Sequence, residues 1–264
     1  MRVTMTSVAA WSGRVNEDFT GAVPAAAVLI DGAGIPGIDS ICQHGVAWYA
    51  RNLGGSLLSL LSLAPDRSLS KVLAEAIEQV TDNHRYTCDV ANPISPSATV
   101  AMVRVSGGVV EHLVLGDSVV VLDRTDGAPQ VVCDTREVII SRSYQSALEG
   151  VAEGSEQYHR LLRDLRARRN QPGGFWLAKD DPRAADEAIT GSCPSYELTG
   201  AALLSNGASR FVDRFQLADW PGLMALLKSN GPADIIRLVR QAEVRHAAPS
   251  DDASIAHCTD LSQT

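Results

Sequence analysis

The chain has 264 residues, 45% hydrophobic and 20% charged, the composition of a soluble globular protein that can bury a large core in one domain or two small ones. A net charge of −8 and a pI near 5.2 disfavour nucleic acid and anionic membrane surfaces as partners. A protein of this charge that handled phosphate esters would need positive charge supplied locally, by metal ions or a placed Arg.

In chain order, MRVTMTSVAAWSG alternates polar and apolar residues and does not read as a secretory leader. VTMTSVAAW and AVPAAAVLID read as strands, the second ending at Asp31, and the Gly-rich loop GAGIPGIDS follows. CQHGVAWYARNLGGSLLSLLS has helical spacing interrupted at Gly54 and Gly55, and its Leu53–Pro65 part reads as a buried core helix, too short to span a bilayer. Leu69–His84 is amphipathic, with Val72, Leu73, Ala76, Ile77 and Val80 on one face and Ser70 at the N-cap or in the first turn. SATVAMVRV, GGVVEHLVLGD, SVVVLDR and APQVVCD are β-branched runs between turn signals, an antiparallel meander covered on both faces. A charged helix over residues 147–169 places Tyr158, Leu161, Leu162 and Leu165 at core spacing. NQPGGFWLAK predicts a strand, DPRAADEAIT a short helix, and SYELTGAALLSNG two short strands around Thr199 and Gly200. LADWPGLMALLKSN and PADIIRLVRQAEVRH predict helices, and ASIAHCT a closing strand. Helices grouped between sets of strands suit layered sheets with helices outside.

Cys42, Cys88, Cys133, Cys193 and Cys258 are odd in number, scattered and without a CxxC pair. They predict free, mostly buried thiols in a reducing cytoplasm, not a disulfide frame or a zinc site. Trp11, Trp48, Trp176 and Trp220 read as core or edge packing, and the basic run Arg163–Arg169 as a solvated helix face. Ser97 and Ser209 lack a GxSxG context, which argues against a serine hydrolase.

The most informative feature is a series of short acidic motifs: RVNED (Arg14–Asp18), LIDGAG (Leu29–Gly34), LGDS (Leu115–Ser118) and SDDAS (Ser250–Ser254). Asp at strand tips projects into the cleft that those tips form. Several carboxylates brought together there cannot all ionise without a cation between them, so the pattern calls for a hard metal ion. LLSNGAS (Leu203–Ser209) has the same shape with Asn206 in place of the acid.

The order NED, strand-DG, strand-GD, strand-NG, DD-strand resembles that of the 2C-type metal-dependent protein phosphatases, over almost the entire chain. The resemblance implies an α+β fold, a four-layered α/β/β/α sandwich of two antiparallel sheets flanked by helices, as a single domain over residues 1–264. It implies two Mg2+ or Mn2+ ions and a third, weaker site. By motif, Asp31 would bridge the two metals with help from the Gly32 carbonyl, and Asp251 and Asn206 would share the second metal. Asp18 and Glu17 would complete the cluster through water, Asp117 would serve the third site, and Arg14 would grip the phosphate. The implied activity is hydrolysis of phosphoserine and phosphothreonine by a metal-bridging hydroxide, in a cytoplasmic protein of bacterial type. Its partner would be a phosphoprotein of a Ser/Thr kinase pathway, with neither nucleic acid nor membrane involved. Asn206 removes a charge from the second metal site and implies weaker affinity and reduced activity. Ala33 stands where many members carry a His general acid, and His44 is the nearest substitute. The alternatives are a catalytically degenerate phosphoprotein-binding module or a small-metabolite phosphatase.

Overall fold

The computed structural model describes residues 1–34, 41–152 and 154–262, so most of the GAGIPGIDS loop lies outside the described residues. Its strands form two antiparallel five-stranded sheets. One runs β1 (Arg2–Val8), β10 (Ala253–Thr259), β9 (Leu198–Leu204), β6 (Val119–Arg124), β7 (Gln130–Cys133). The other runs β2 (Phe19–Val23), β3 (Ala26–Ala33), β4 (Ser97–Ser106), β5 (Val109–Leu115), β8 (Ile189–Pro194).

Alternate residues of the inner strands serve different cores. Ala27, Leu29, Ala101, Val103, Val120, Leu122 and Leu203 meet between the sheets, while Val28, Ile30, Val100 and Met102 face the opposite way. Those outward residues pack under α1 (Gly45–Leu63) and α2 (Leu69–His84), against Leu53, Leu57, Leu73 and Ile77. Across the molecule, Val121, Ala202 and Ile255 pack under α5 (Asn206–Asp213), α6 (Trp220–Asn230) and α7 (Pro232–Arg245). Burial on both faces is why these strands read as continuous apolar runs. The layers are helix, sheet, sheet, helix, as the motif order implied.

Several elements differ from the sequence reading. Pro24 divides AVPAAAVLID into a hairpin, with Val23 pairing Ala26. α1 runs unbroken through Gly54, where a Cβ would lie 2.1 Å from the Phe19 ring, so this glycine permits close packing instead of breaking the helix. The four β-branched runs are two hairpins in different sheets, not one meander: β4–β5 lies in one and β6–β7 in the other. The chain crosses between them at Gly116, which has φ +77° and would carry a Cβ only 2.7 Å from Thr99. The charged segment splits into α3 (Arg136–Leu148) and α4 (Glu156–Ala167), separated by Gly150 and Gly154, both at positive φ. Neither helix buries a residue, so Tyr158, Leu161, Leu162 and Leu165 lie outside the core. NQPGGFWLAK forms only isolated bridges, Phe175 to Arg169 and Ala178 to Ala98. DPRAADEAIT is a 3-10 turn over Pro182–Glu187, and SYELTGAALL gives the single strand β9.

Candidate metal centre

Strand register brings the acidic motifs to one end of the sandwich. Phe19 pairs Ile30, so Asp18, just before β2, lies beside Asp31 near the end of β3. Asp117 occupies the β5–β6 crossing. β9 lies between β6 and β10, with Leu204 opposite both Val119 and Ile255, which brings Ser205 and Asn206 between Asp117 and the Asp251–Asp252 pair. Both sheets therefore contribute to the site.

The electrostatics follow from this crowding. Burial pushes the Asp18 carboxyl up to about 7, and Asp252 and Asp251 push it the same way. The Ser254 and Ser205 hydroxyls ease this, but neither is in hydrogen-bonding geometry with Asp18, and both its buried oxygens lack a partner. Those hydroxyls are engaged elsewhere: Ser205 Oγ accepts from the Ser254 amide at 2.9 Å, and Ser254 Oγ bonds Ser7 Oγ at 2.7 Å. Asp31 is held well above the usual carboxylate range by burial, then by Asp18, Asp117 and Asp251. Burial also raises Asp117.

Two orphaned buried oxygens amid mutually repelling carboxylates fit a hard divalent cation, and an all-oxygen donor set suits Mg2+ or Mn2+. Among the described residues no three of these carboxylates bring oxygens within 4.8 Å of one another.

Asn206 makes donor contacts to two of the acids. Its backbone amide donates to Asp31 Oδ2 at 2.9 Å, and its Nδ2 donates to Asp117 Oδ2 at 2.7 Å. Asp251 accepts from Arg210 Nη2 at 2.7 Å and is partly exposed. Arg14 lies at the rim, its Nη2 on Glu17 at 2.9 Å and its guanidinium over the Trp11 ring. Gly32 lies against this loop: a Cβ there would be 2.5 Å from the Glu17 carbonyl. His44 is away from the acids, beside Cys88 at 3.3 Å.

The sequence reading passed over two supports. Asp252 is buried and accepts from the amides of Ala10 and Glu17, both at 2.7 Å, which pins the RVNED loop to the start of β10. Its signal was the second Asp of SDD. Arg210, one turn into the unforeseen α5, had no motif to mark it. Gly207 lets that first turn approach: a Cβ would fall 1.9 Å from the Asp252 carbonyl and 3.3 Å from Asp251 Cβ. Gly207→Ala is therefore expected to cost about 1–3 kcal/mol as an overpacked site, read by urea unfolding, and to weaken Mn2+ binding measured by calorimetry.

A pH dependence also follows. A carboxyl raised to about 7 when folded, against an ordinary 3.8, favours the folded state below about pH 4 and loses that contribution as pH rises through about 7. The metal-free Tm is expected to fall from about pH 5 to about pH 8. Mn2+ should abolish the decline, since cation binding displaces the protons, and Asp18→Asn should flatten it.

A protein-family model described as Protein phosphatase 2C matches residues 10–229. No curated protein sequence matches the chain. Among solved structures, the fold is similar to the catalytic domain of the serine/threonine protein phosphatase PstP in complex with two manganese ions, at 16% identity and TM-score 0.61, covering 98% of this chain and 97% of that one. It is similar to the serine/threonine phosphatase Stp1 from Staphylococcus aureus at 14% identity and TM-score 0.60, covering 98% and 94%. It is also similar to the PPM Ser-Thr phosphatase MsPP from Mycobacterium smegmatis at 18% identity and TM-score 0.56, covering 98% of both chains. With the family model spanning most of its length, the chain belongs to the protein phosphatase 2C family of metal-dependent phosphatases.

Proposed function

We propose that the chain, acting as one catalytic unit over residues 1–264, hydrolyses phosphoserine and phosphothreonine esters in proteins with two Mn2+ or Mg2+ ions. The observation that carries this reading is the convergence of Asp18, Asp31, Asp117 and Asp251, with both buried oxygens of Asp18 left unpartnered. The two manganese ions of PstP support the choice of metal.

Asp31 and Asp251 would hold the cations, with Asp18, Asp117, Asn206 and the Gly32 carbonyl in support. When bound, the cations supply Lewis acidity to the phosphoryl oxygens and a water-derived nucleophile at neutral pH. Arg14, steadied by Glu17 and Trp11 yet one-third exposed, offers its remaining donors to the phosphate. Arg210 offsets the charge of Asp251 at the edge of the cluster. A cleft of about 870 Å³ opens beside Asp117 and Asn206, its walls mixed in charge, with Arg142, Arg210 and Arg214 beside Glu137 and Asp213. We infer a kinase-linked phosphoprotein in the cytoplasm as the partner; among the described residues no helix is long and apolar enough to cross a membrane.

A second reading, a catalytically degenerate phosphoprotein-binding module, draws support from Asn206 acting as donor to Asp31 and Asp117. The experiment is hydrolysis of p-nitrophenyl phosphate and of a phosphothreonine peptide. Turnover of both with Mn2+, abolished by EDTA, is expected. Turnover that persists in EDTA would refute the metal mechanism, and turnover of the small ester alone would favour a metabolite substrate.

A further inference from the structure

Outside the acidic cluster, one group of side chains has the chemistry of a second and different metal. Cys42 and His44 precede α1, and Cys88 follows α2. The two segments are tied by the Asp89 amide donating to the Ile41 carbonyl at 2.9 Å. Cys88 Sγ lies 3.2 Å from Cys42 Sγ and 3.3 Å from His44 Nδ1, and the three ligand atoms all fall within 4.8 Å of one another. This is the one such group among the described residues. The scattered cysteines, without a CxxC pair, argued against a zinc site in the sequence, but the α1–α2 hairpin brings Cys42 and Cys88 together across 46 residues.

The geometry points to a Cys2His site for a soft or borderline divalent cation, Zn2+ by preference. Tetrahedral zinc, with bonds of about 2.3 Å to sulfur and about 2.0 Å to nitrogen, separates sulfurs by about 3.8 Å and sulfur from nitrogen by about 3.5 Å. From the present 3.3 Å and 3.2 Å, the Cys88–His44 pair needs to open by about 0.2 Å and the two sulfurs by about 0.6 Å. The supporting shell also fits. The His44 ring is stacked on Trp48 at 4.3 Å and flanked by the edge of His84 at 6.1 Å, which fixes its orientation. Gly45, next along the chain, takes φ +76°, which lets the chain turn from the ligands into α1. A disulfide between Cys42 and Cys88 would need the sulfurs to close to about 2.05 Å and would give His44 no role. Three protein ligands leave the fourth position to solvent. Thiolate and imidazole prefer zinc where the carboxylates prefer Mg2+ or Mn2+, so one chain would sort two kinds of metal by donor type. The zinc would clip the loop after α2 to the turn just before α1.

Co2+ titrated into the reduced full-length protein tests this, since a thiolate-to-cobalt charge-transfer band cannot arise from carboxylates. One equivalent should produce the band, and Zn2+ should bleach it. Cys42→Ser, Cys88→Ser and His44→Ala should each weaken Zn2+ binding by more than the ~10–100-fold typical of losing an outer-sphere partner. Asp31→Asn should leave the band intact, which separates this site from the acidic one. In the unaltered protein, Zn2+ should also protect Cys42 and Cys88 from alkylation, a readout that needs no variant to fold. Absence of the band, or its survival in both serine variants, would overturn the assignment. So would a Cys42–Cys88 disulfide recovered by peptide mapping from a protein that binds no Zn2+, which would make the pair a redox switch.

Discussion

Asp31→Ala is expected to lower kcat/KM for p-nitrophenyl phosphate by at least about a thousandfold, some 4 kcal/mol of transition-state stabilisation at 1.36 kcal/mol per decade. Asp31 is where the repulsions converge: burial, Asp18, Asp117 and Asp251 all disfavour its charge, and the Asn206 amide is the one group that eases it. The cation proposed to bind at Asp31 would offset what is so unfavourable in the bare fold. The same substitution should therefore raise the Tm of the metal-free protein while abolishing the Tm gain from Mn2+, a trade of stability against activity. Activity retained after Asp31→Ala, measured with Mn2+ in excess, would show that the acidic cluster is not the reaction site.

Asn206→Asp is expected to raise Mn2+ affinity and turnover by about tenfold or more, because a full charge at a second ligand is worth at least 1.36 kcal/mol. The structure sets the cost. Asn206 Nδ2 now donates to Asp117 Oδ2 at 2.7 Å, and a carboxylate there replaces attraction with repulsion. The variant without metal should unfold at a lower temperature than the parent, and Mn2+ should more than restore it. Calorimetric titration and p-nitrophenyl phosphate hydrolysis read the two effects separately. If affinity and turnover stay flat, Asn206 serves as the donor that holds Asp31 and Asp117 in place, and the binding-module reading gains.

The convergence of the acids was legible in the sequence because each sits at a strand tip, where local pattern and position in the fold coincide. Asp31 follows the apolar run within β3, Asp117 lies just after β5, and Asp251 precedes β10, so recognising the strands placed the acids. α2, α6 and α7 were legible for the same local reason: amphipathic spacing and stop signals lie within one segment. What escaped depended on partners distant in sequence. Phe19 explains Gly54, Thr99 explains Gly116, and Asp252 explains Gly207, and none of these pairs is visible in a local window. The division of four similar strands between two sheets escaped too, since all are apolar on both faces and periodicity cannot tell one sheet from the other. Asp252 and Arg210 went unnoticed because their work is to hold the RVNED loop and Asp251, which becomes visible only in three dimensions.

The position of β10 has a consequence for how the protein comes into being. β10 lies between β1 and β9, pairing residues 2–8 on one side and 201–204 on the other. Until it leaves the ribosome, β1 and β9 each present an open edge to other chains, and Asp251 has not joined Asp31. A nascent chain halted before β10 would therefore be prone to self-association. Closure of this sheet thus waits on the synthesis of β10.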